Sequence, residues 1–293
     1  MDRIEYIFSI FEFVSLMLLM FTANARARGG QEFDKNYVIT WGHDHVLKLN
    51  QGKGVQLSMD HSSGAGFESK DHYGSGFFQM RIKLPQRDSA GVVTAFYLTS
   101  KDNTHDEVDF EFLGNREGKQ ITIQTNVFAN GQGGREQKNV LWFDPTTSFH
   151  TYRILWNPHH IVFYVDKIPI RIFKNTKRRG MNYPSKPMQV VASLWNGEAW
   201  ATDGGKSKIN WAFAPFKAQI QGFSHQGCKV NGQSNNVKVC GSARHWWNTR
   251  KYSRLSAYEQ KALENVRAKY MNYDYCSDRT RYNVPPTECR WNK

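Results

Sequence analysis

The sequence predicts an all-β fold, an antiparallel sandwich, on three observations. Apolar and polar residues alternate with a period of two through Phe78-Gln79-Met80-Arg81-Ile82-Lys83-Leu84. From about residue 33 to 220, glycine-bearing loops punctuate such runs every eight to fifteen residues or so. Aromatic residues make up 14% of the chain, with nine Trp, thirteen Tyr and nineteen Phe, a content that suits pleated surfaces and stacking on flat ligands. No convincing helical periodicity precedes residue 250.

The 293 residues divide in order. Residues 1–25 read as a secretory signal peptide: Phe13 to Phe21 is an apolar run, and Ala23-Asn24-Ala25 is a small-x-small cleavage site. The run is too short to span a bilayer, so the expected mature protein is exported and free of the membrane. Residues 26–225 are the expected sandwich. Within them Val92 to Leu98 is a mostly apolar run with β-branched residues, and Ile121, Ile123, Thr125 and Val127 share one strand face opposite Gln124 and Asn126. Ile161 to Val165 and Ile168 to Phe173 form a hairpin pattern turning at Asp166-Lys167, and Met188 to Trp195 is a further strand. Residues 226–293 are an extension. There Ser256-Ala257-Tyr258-Glu259 is a capping box, followed at helical spacing by Ala262, Leu263, Val266 and Tyr270, which predicts one helix over about 257–271.

Net charge is +13, and cleavage after Ala25 leaves 38 basic and 23 acidic residues, or +15. That excludes an acidic, DNA-mimicking protein. No RNA-recognition or zinc-finger signature is present, so nucleic acid is not an expected partner. The charge fits either retention on an acidic extracellular polymer or a merely solvated surface. All four cysteines, Cys228, Cys240, Cys276 and Cys289, fall in the extension. In an oxidising compartment they suggest two disulfides, for which three pairings exist; neighbour pairing closes two short loops, and a zinc site lacks any C-x2-C pair.

The chemistry-bearing segment is His105-Asp106-Glu107-Val108-Asp109-Phe110-Glu111-Phe112. As a strand it turns Glu107, Asp109 and Glu111 to one side and Val108, Phe110 and Phe112 to the core. Three like charges on one face raise one another's pKa, a cost that a fold alone does not require. Glu107 and Glu111 have Cα atoms about 13 Å apart on a flat strand. Side chains leaning together bring their carboxyls to roughly 5–6 Å, the separation of retaining glycosidases. Asp109, between them, is expected to raise one neighbour's pKa and to hold the other ionised by a hydrogen bond. A solvated edge strand and a calcium site are the rival readings, the latter weakened because one strand encircles an ion poorly. Trp195 and Trp200 lie in a Gly-rich, polar setting at a strand end, where indole faces stack on pyranose rings; Trp246 and Trp247 add two more indoles in the extension.

The segments HDEVDFEFLGN, TNVFANGQGGREQ, LWFDPTTSFHTYRILWNPHHIVFYVD, PIRIFKN, SLWNGEAWATDGGKSKINW, RHWWN, YDYCSDRTRY and PPTEC resemble the plant xyloglucan endotransglucosylase/hydrolases of glycoside hydrolase family 16. The resemblance runs from residue 31 to 293. It implies a concanavalin-like jelly-roll β-sandwich with a concave substrate cleft and a disulfide-stapled C-terminal extension. It implies Glu107 as nucleophile, Asp109 as helper and Glu111 as general acid/base. Substrate contacts follow at Gln124, Asn126, Arg135, Glu136, Trp195, Trp200 and Gly205, and disulfides at Cys228–Cys240 and Cys276–Cys289. It implies no metal and no organic cofactor. The implied partners are a xyloglucan donor and a glucan or xyloglucan-oligosaccharide acceptor, handled by a monomer secreted to the plant cell wall and apoplast. Members prone to hydrolysis have a longer loop near the acceptor cleft; Thr125 to Trp142 is compact here, which points to transglucosylation. The chain departs from the family in two places: it has no N-glycosylation sequon, and Asp166-Lys167 replaces the more usual Asp-Gly turn. A non-catalytic lectin-like sandwich explains the tryptophans but not the carboxylate row. A lichenase-like hydrolase is the nearest enzymatic rival, but its strand carries one extra, bulging residue.

Overall fold

Alternation at period two has the consequence the sequence predicts: two stacked antiparallel sheets with one core between them. The computed structural model describes residues 33–223, 225–231 and 237–292, so the expected signal peptide lies outside the described residues. The strands are β1 (Tyr37–Trp41), β2 (Val46–Leu49), β3 (Gly54–Met59), β4 (Ala65–Ser69), β5 (His72–Lys83), β6 (Val92–Thr99), β7 (Glu107–Leu113) and β8 (Thr122–Phe128). They continue as β9 (Gln137–Val140), β10 (His150–Trp156), β11 (His160–Val165), β12 (Ile168–Lys174), β13 (Gln189–Asn196), β14 (Phe216–Gln221), β15 (Gln226–Val230) and β16 (Met271–Asp274). Short helices α1 (Phe33–Asn36) and α2 (Val237–Cys240) precede the longer α3 (Ala257–Lys269).

The first sheet has the order β1-β4-β13-β6-β7-β8-β9-β16; the second runs β12-β11-β10-β5-β14-β3-β2, with β15 also pairing β5. β7 lies centrally in the first sheet, between β6 and β8, and both registers run through without a bulge. Its inward residues Val108, Phe110 and Phe112 are buried. They meet the second sheet through edge-to-face rings, Phe110 on Phe163 at 5.1 Å and Phe112 on Tyr152 at 4.5 Å. Each such ring contributes about 1.5–3 kcal/mol by burial, and the pair geometry adds a little more. That packing fixes which way β7 faces, and so fixes the acids on the outside.

The extension covers the outer face of the second sheet. Leu155, Val162, Tyr164 and Ile172 from the sheet cluster with Trp247 and Leu263 from the extension. α3 begins at the predicted capping box: Ser256 accepts from the Glu259 amide, and Glu259 accepts from the Ser256 amide. Leu263 and Val266 are its buried face, with Tyr270, just past its end, packed against the main core. Trp246 and Trp247 also belong to this packing rather than to any sugar surface. Trp247 is buried and donates to the Ser75 hydroxyl at 2.9 Å, and Trp246 packs on Phe77. The disulfides are Cys228–Cys240 and Cys276–Cys289. β15 and β16 give the extension one strand in each sheet.

The β11–β12 hairpin turns at Asp166-Lys167, with a difference in its chemistry. Asp166 takes the left-handed conformation at φ 53°, and Lys167 does not take positive φ. An aspartate tolerates that conformation better than a lysine. Its carboxylate is also used, accepting from the Thr151 amide at 2.9 Å. The lysine that stands where the family usually has glycine is thereby spared positive φ.

Candidate active site

The first sheet's outer face carries the acid row. Along β7, Glu107, Asp109 and Glu111 stand opposite Thr99, Tyr97 and Ala95 of β6, and opposite Phe128, Asn126 and Gln124 of β8. Glu107 and Glu111 are half-buried, and Asp109 is buried at 5% exposure. Three acids this close and this dry cannot all ionise near neutrality. Burial drives the Asp109 carboxyl well above its ordinary range, and the charges of Glu107 and Glu111 push the same way. Asp109 therefore keeps its proton and shares a hydrogen bond with Glu107. Burial also raises Glu107, while hydrogen bonds from Thr99 and Asp109 and the His105 ring favour its charged form. Glu111 is raised by burial first, opposed by the Gln124 amide, which donates to its Oε2 at 2.6 Å; the Glu107 charge then raises it further.

This distribution differs from the sequence expectation in one respect. Asp109 was expected to act on a neighbour as a charge. Its desolvation is instead so large that it is the proton holder, and the charge acting on Glu111 comes from Glu107. The arrangement has a glutamate with donors on it, a buried aspartic acid hydrogen-bonded to that glutamate, and a second glutamate, raised by burial, at the far end of the row. Among the described residues, no group of three or more His, Cys, Asp or Glu is arranged to hold a metal ion.

Trp195 and Trp200 lie beyond the Glu111 end. Leu113 follows Glu111 on the same face of β7, Val93 of β6 stands opposite Leu113, and Trp195 of β13 stands opposite Val93. The two indoles, 6.0 Å apart and tilted by 41°, pack on Val93, Leu113 and Ala201 and keep part of their surface open. Gly205 supports them through the backbone. It has φ +85°, and a Cβ there would lie 2.2 Å from the Ala199 carbonyl oxygen. Thr202 ties the same loop to β7's end, donating to the Gly114 carbonyl at 2.6 Å and accepting from the Gly91 amide at 2.8 Å.

The family model for glycosyl hydrolases family 16 matches residues 33–213, and the one for the xyloglucan endo-transglycosylase C-terminus matches residues 241–289. Among curated relatives, the chain is 78% identical to xyloglucan endotransglucosylase/hydrolase protein 2 of Arabidopsis thaliana, over all of both chains. It is 51% identical to a xyloglucan endotransglucosylase/hydrolase of Brassica oleracea var. botrytis, over 88% of this chain and 87% of the relative. Among solved structures, the Bacillus licheniformis β-glucanase superposes with a TM-score of 0.53 at 23% identity, over 67% of this chain and 92% of that one. The apo Crh5 transglycosylase gives 0.54 at 21%, over 67% and 80%. These two likenesses concern the fold.

Several side chains are placed differently from the sequence reading, or were missed by it. Asn126, expected to face the substrate, is buried and turns its Oδ1 to the Val127 and Arg135 amides at 2.9 and 3.0 Å. The Arg135 guanidinium pairs with Glu288 of the extension at 2.7 Å, both side chains being nearly dry. Glu136 pairs with Arg281 at 2.6 Å, yet stays close enough to Glu111 to raise its pKa. Arg171 was not singled out. It is buried beneath β8, donating to the Thr125 carbonyl at 2.7 Å, and its charge favours the ionised form of Asp109 against the effect of burial. In sequence it is one cation among apolar strand residues, which reads as outward-facing. Tyr97 and Thr99 were also passed over, because only the register against β7 brings them to the acids. Replacing Arg135 by Met should leave Glu288 buried without its cation and cost about 3–5 kcal/mol of stability. Thermal and urea unfolding check this; an unchanged midpoint would mean that the pair does not hold the extension.

Proposed function

The chain belongs to glycosyl hydrolases family 16 and carries the xyloglucan endo-transglycosylase C-terminus, and from that premise we propose that it is a retaining endo-transglucosylase acting on the β-1,4-glucan backbone of xyloglucan. The observation that carries this reading is the row of Glu107, Asp109 and Glu111 along one strand face, with hydrogen bonds from Thr99 and Asp109 favouring the charged form of Glu107 and burial and the Glu107 charge raising Glu111. Relatives named xyloglucan endotransglucosylase/hydrolase over the full chain support the substrate class.

In the proposed reaction, the Glu107 carboxylate attacks the anomeric carbon while Glu111 gives its proton to the departing glycosidic oxygen. The bond to the leaving chain breaks as the bond to Glu107 forms, and the configuration inverts. The Asp109 proton steadies the Glu107 oxygens before attack and again when the sugar leaves them. Loss of the Glu111 proton makes that residue a base. It then takes the proton of an acceptor 4-hydroxyl, whose oxygen displaces Glu107 and restores the β configuration. Trp195 and Trp200, at the Glu111 end, suit the acceptor side. A sugar stacked there has a high effective molarity relative to water. The connection from β8 to β9 is short, residues 129–136, which leaves the acceptor side open and favours transfer over hydrolysis.

We also propose a boundary near residue 225 between the catalytic sandwich and the extension, with export to the cell wall directed by residues 1–25.

Incubation with xyloglucan and a labelled xyloglucan oligosaccharide should move label into polymer. Glu107→Ala should abolish that transfer, by at least ~10³-fold, while polymer binding persists. Release of reducing ends without label transfer would contradict the transferase reading, and unchanged turnover in the variant would exclude Glu107 as nucleophile. A second experiment concerns pH. Gln124 donates to Glu111 and stabilises its charged form, so Gln124→Leu should raise the pKa of Glu111. Glu111 acts as an acid, so the alkaline limb of the kcat/KM profile should move to higher pH; a shift to lower pH would reverse the assignment.

A further inference from the structure

We propose that a groove away from the carboxylate row binds a carboxylated polysaccharide, a polyuronate. Two clefts form it. One, of about 1640 Å³, lies between the β10–β11 turn, the segment after β12 and the start of α3. The other, of about 1130 Å³, continues past the loop before β13 to α2. Pro158, Asn175 and Lys177 line both, so the two are continuous. No residue of the acid row and neither Trp195 nor Trp200 lines either one. Small-molecule sites occupy about 300–1,000 Å³, and this groove exceeds that range, as a polymer segment requires.

Its charge is one-sided. Lys174, Lys177, Arg178, Arg179, Arg254 and Lys238 are exposed on its walls, and none of them forms an ion pair with a described acidic residue. Asp102 is the one acid on either wall, and Lys186 holds it at 2.8 Å. Elsewhere on the molecule the pattern is different: Lys48, Arg116, Lys229 and Arg281 each have a carboxylate within 2.9 Å. Six uncompensated cations along a continuous trough attract a chain of repeated carboxylates.

The walls also discriminate between polyanions. A single-stranded nucleic acid needs open aromatic faces for its bases. The indole at the α3 end of the groove is Trp291, and Arg179 covers it with its guanidinium 3.9 Å from the ring centroid. A guanidinium over an indole keeps its planar fork of N–H donors, the group that takes a carboxylate bidentately. Between the cations stand Thr176, Ser185 and Gln260, which offer neutral hydrogen-bonding groups to sugar hydroxyls. Alternating carboxylate and hydroxyl recognition fits a uronic-acid polymer.

The experiment is calorimetric titration of the full-length mature protein with oligogalacturonate, polyglutamate of matched charge, and a single-stranded oligonucleotide, at low and at physiological salt. The triple variant Lys177→Gln/Arg178→Gln/Arg179→Gln is compared with a charge-matched control, Lys53→Gln/Lys119→Gln/Lys217→Gln, whose positions are exposed and outside the groove. Wild type should bind oligogalacturonate more tightly than the other two polymers, and salt should weaken that binding. The groove variant should lose about tenfold in affinity, and the control less than about twofold. Equal losses in both variants would reduce the effect to bulk charge and overturn the proposal. So would polyglutamate or the oligonucleotide binding as tightly as oligogalacturonate. The readout is binding, so it stands apart from the catalytic reading; unchanged xyloglucan turnover in both variants shows that they are folded.

Discussion

The structure depends on one electrostatic constraint: three carboxyls on one face of a single strand cannot all be charged. The strand is held in that orientation from below. Val108, Phe110 and Phe112 are locked into the core by rings from the opposite sheet, so β7 cannot rotate to turn its acids away from one another. The repulsion is relieved by protonation. Asp109, the most buried of the three, retains a proton and lends it to Glu107 as a hydrogen bond. What looks costly for folding thus sets the three carboxyls apart by their surroundings: donors on Glu107, deep burial of Asp109, and burial opposed by the Gln124 amide at Glu111.

The extension explains why only one face of the sandwich is open. A two-layer sandwich has two outer faces, and an antiparallel sheet tolerates solvent on either. Here the second sheet's outer face is covered by Trp247, Leu263 and their neighbours, and two disulfides hold the covering segment. The extension also reaches the first sheet, through β16 pairing with β9 and through Glu288 pairing with Arg135. Those contacts brace the strands just beyond Gln124 without crossing the acid row. The loop after β13 is braced differently, by Thr202 and the left-handed Gly205, so the two indoles stand on a fixed support.

Much of this was legible in the residues. The period of two in Phe78 to Leu84 and across Glu107 to Phe112 gave both the strands and their inward and outward faces, because one buried face permits only one register. The capping box gave the start of α3. What the sequence could not convey was partnership across distance. Arg135 was placed in the cleft by the family resemblance; its buried partner lies 153 positions away. Arg171 went unmarked because one cation in an apolar strand gives no sign of the carbonyl it meets 46 positions away. Trp246 and Trp247 looked available because a tryptophan's stacking face says nothing about which surface it meets. The identity of the proton holder was hidden for a related reason: spacing shows that three acids repel, but only burial decides which one stays neutral.

The most direct test of the account is a ¹³C NMR titration of the side-chain carboxyls of Glu107, Asp109 and Glu111 in the folded protein. The account predicts that Asp109 ionises last of the three, well above an ordinary aspartate, and that Glu111 titrates above an ordinary glutamate. Asp109 losing its proton in the usual aspartate range, before either glutamate, would contradict it.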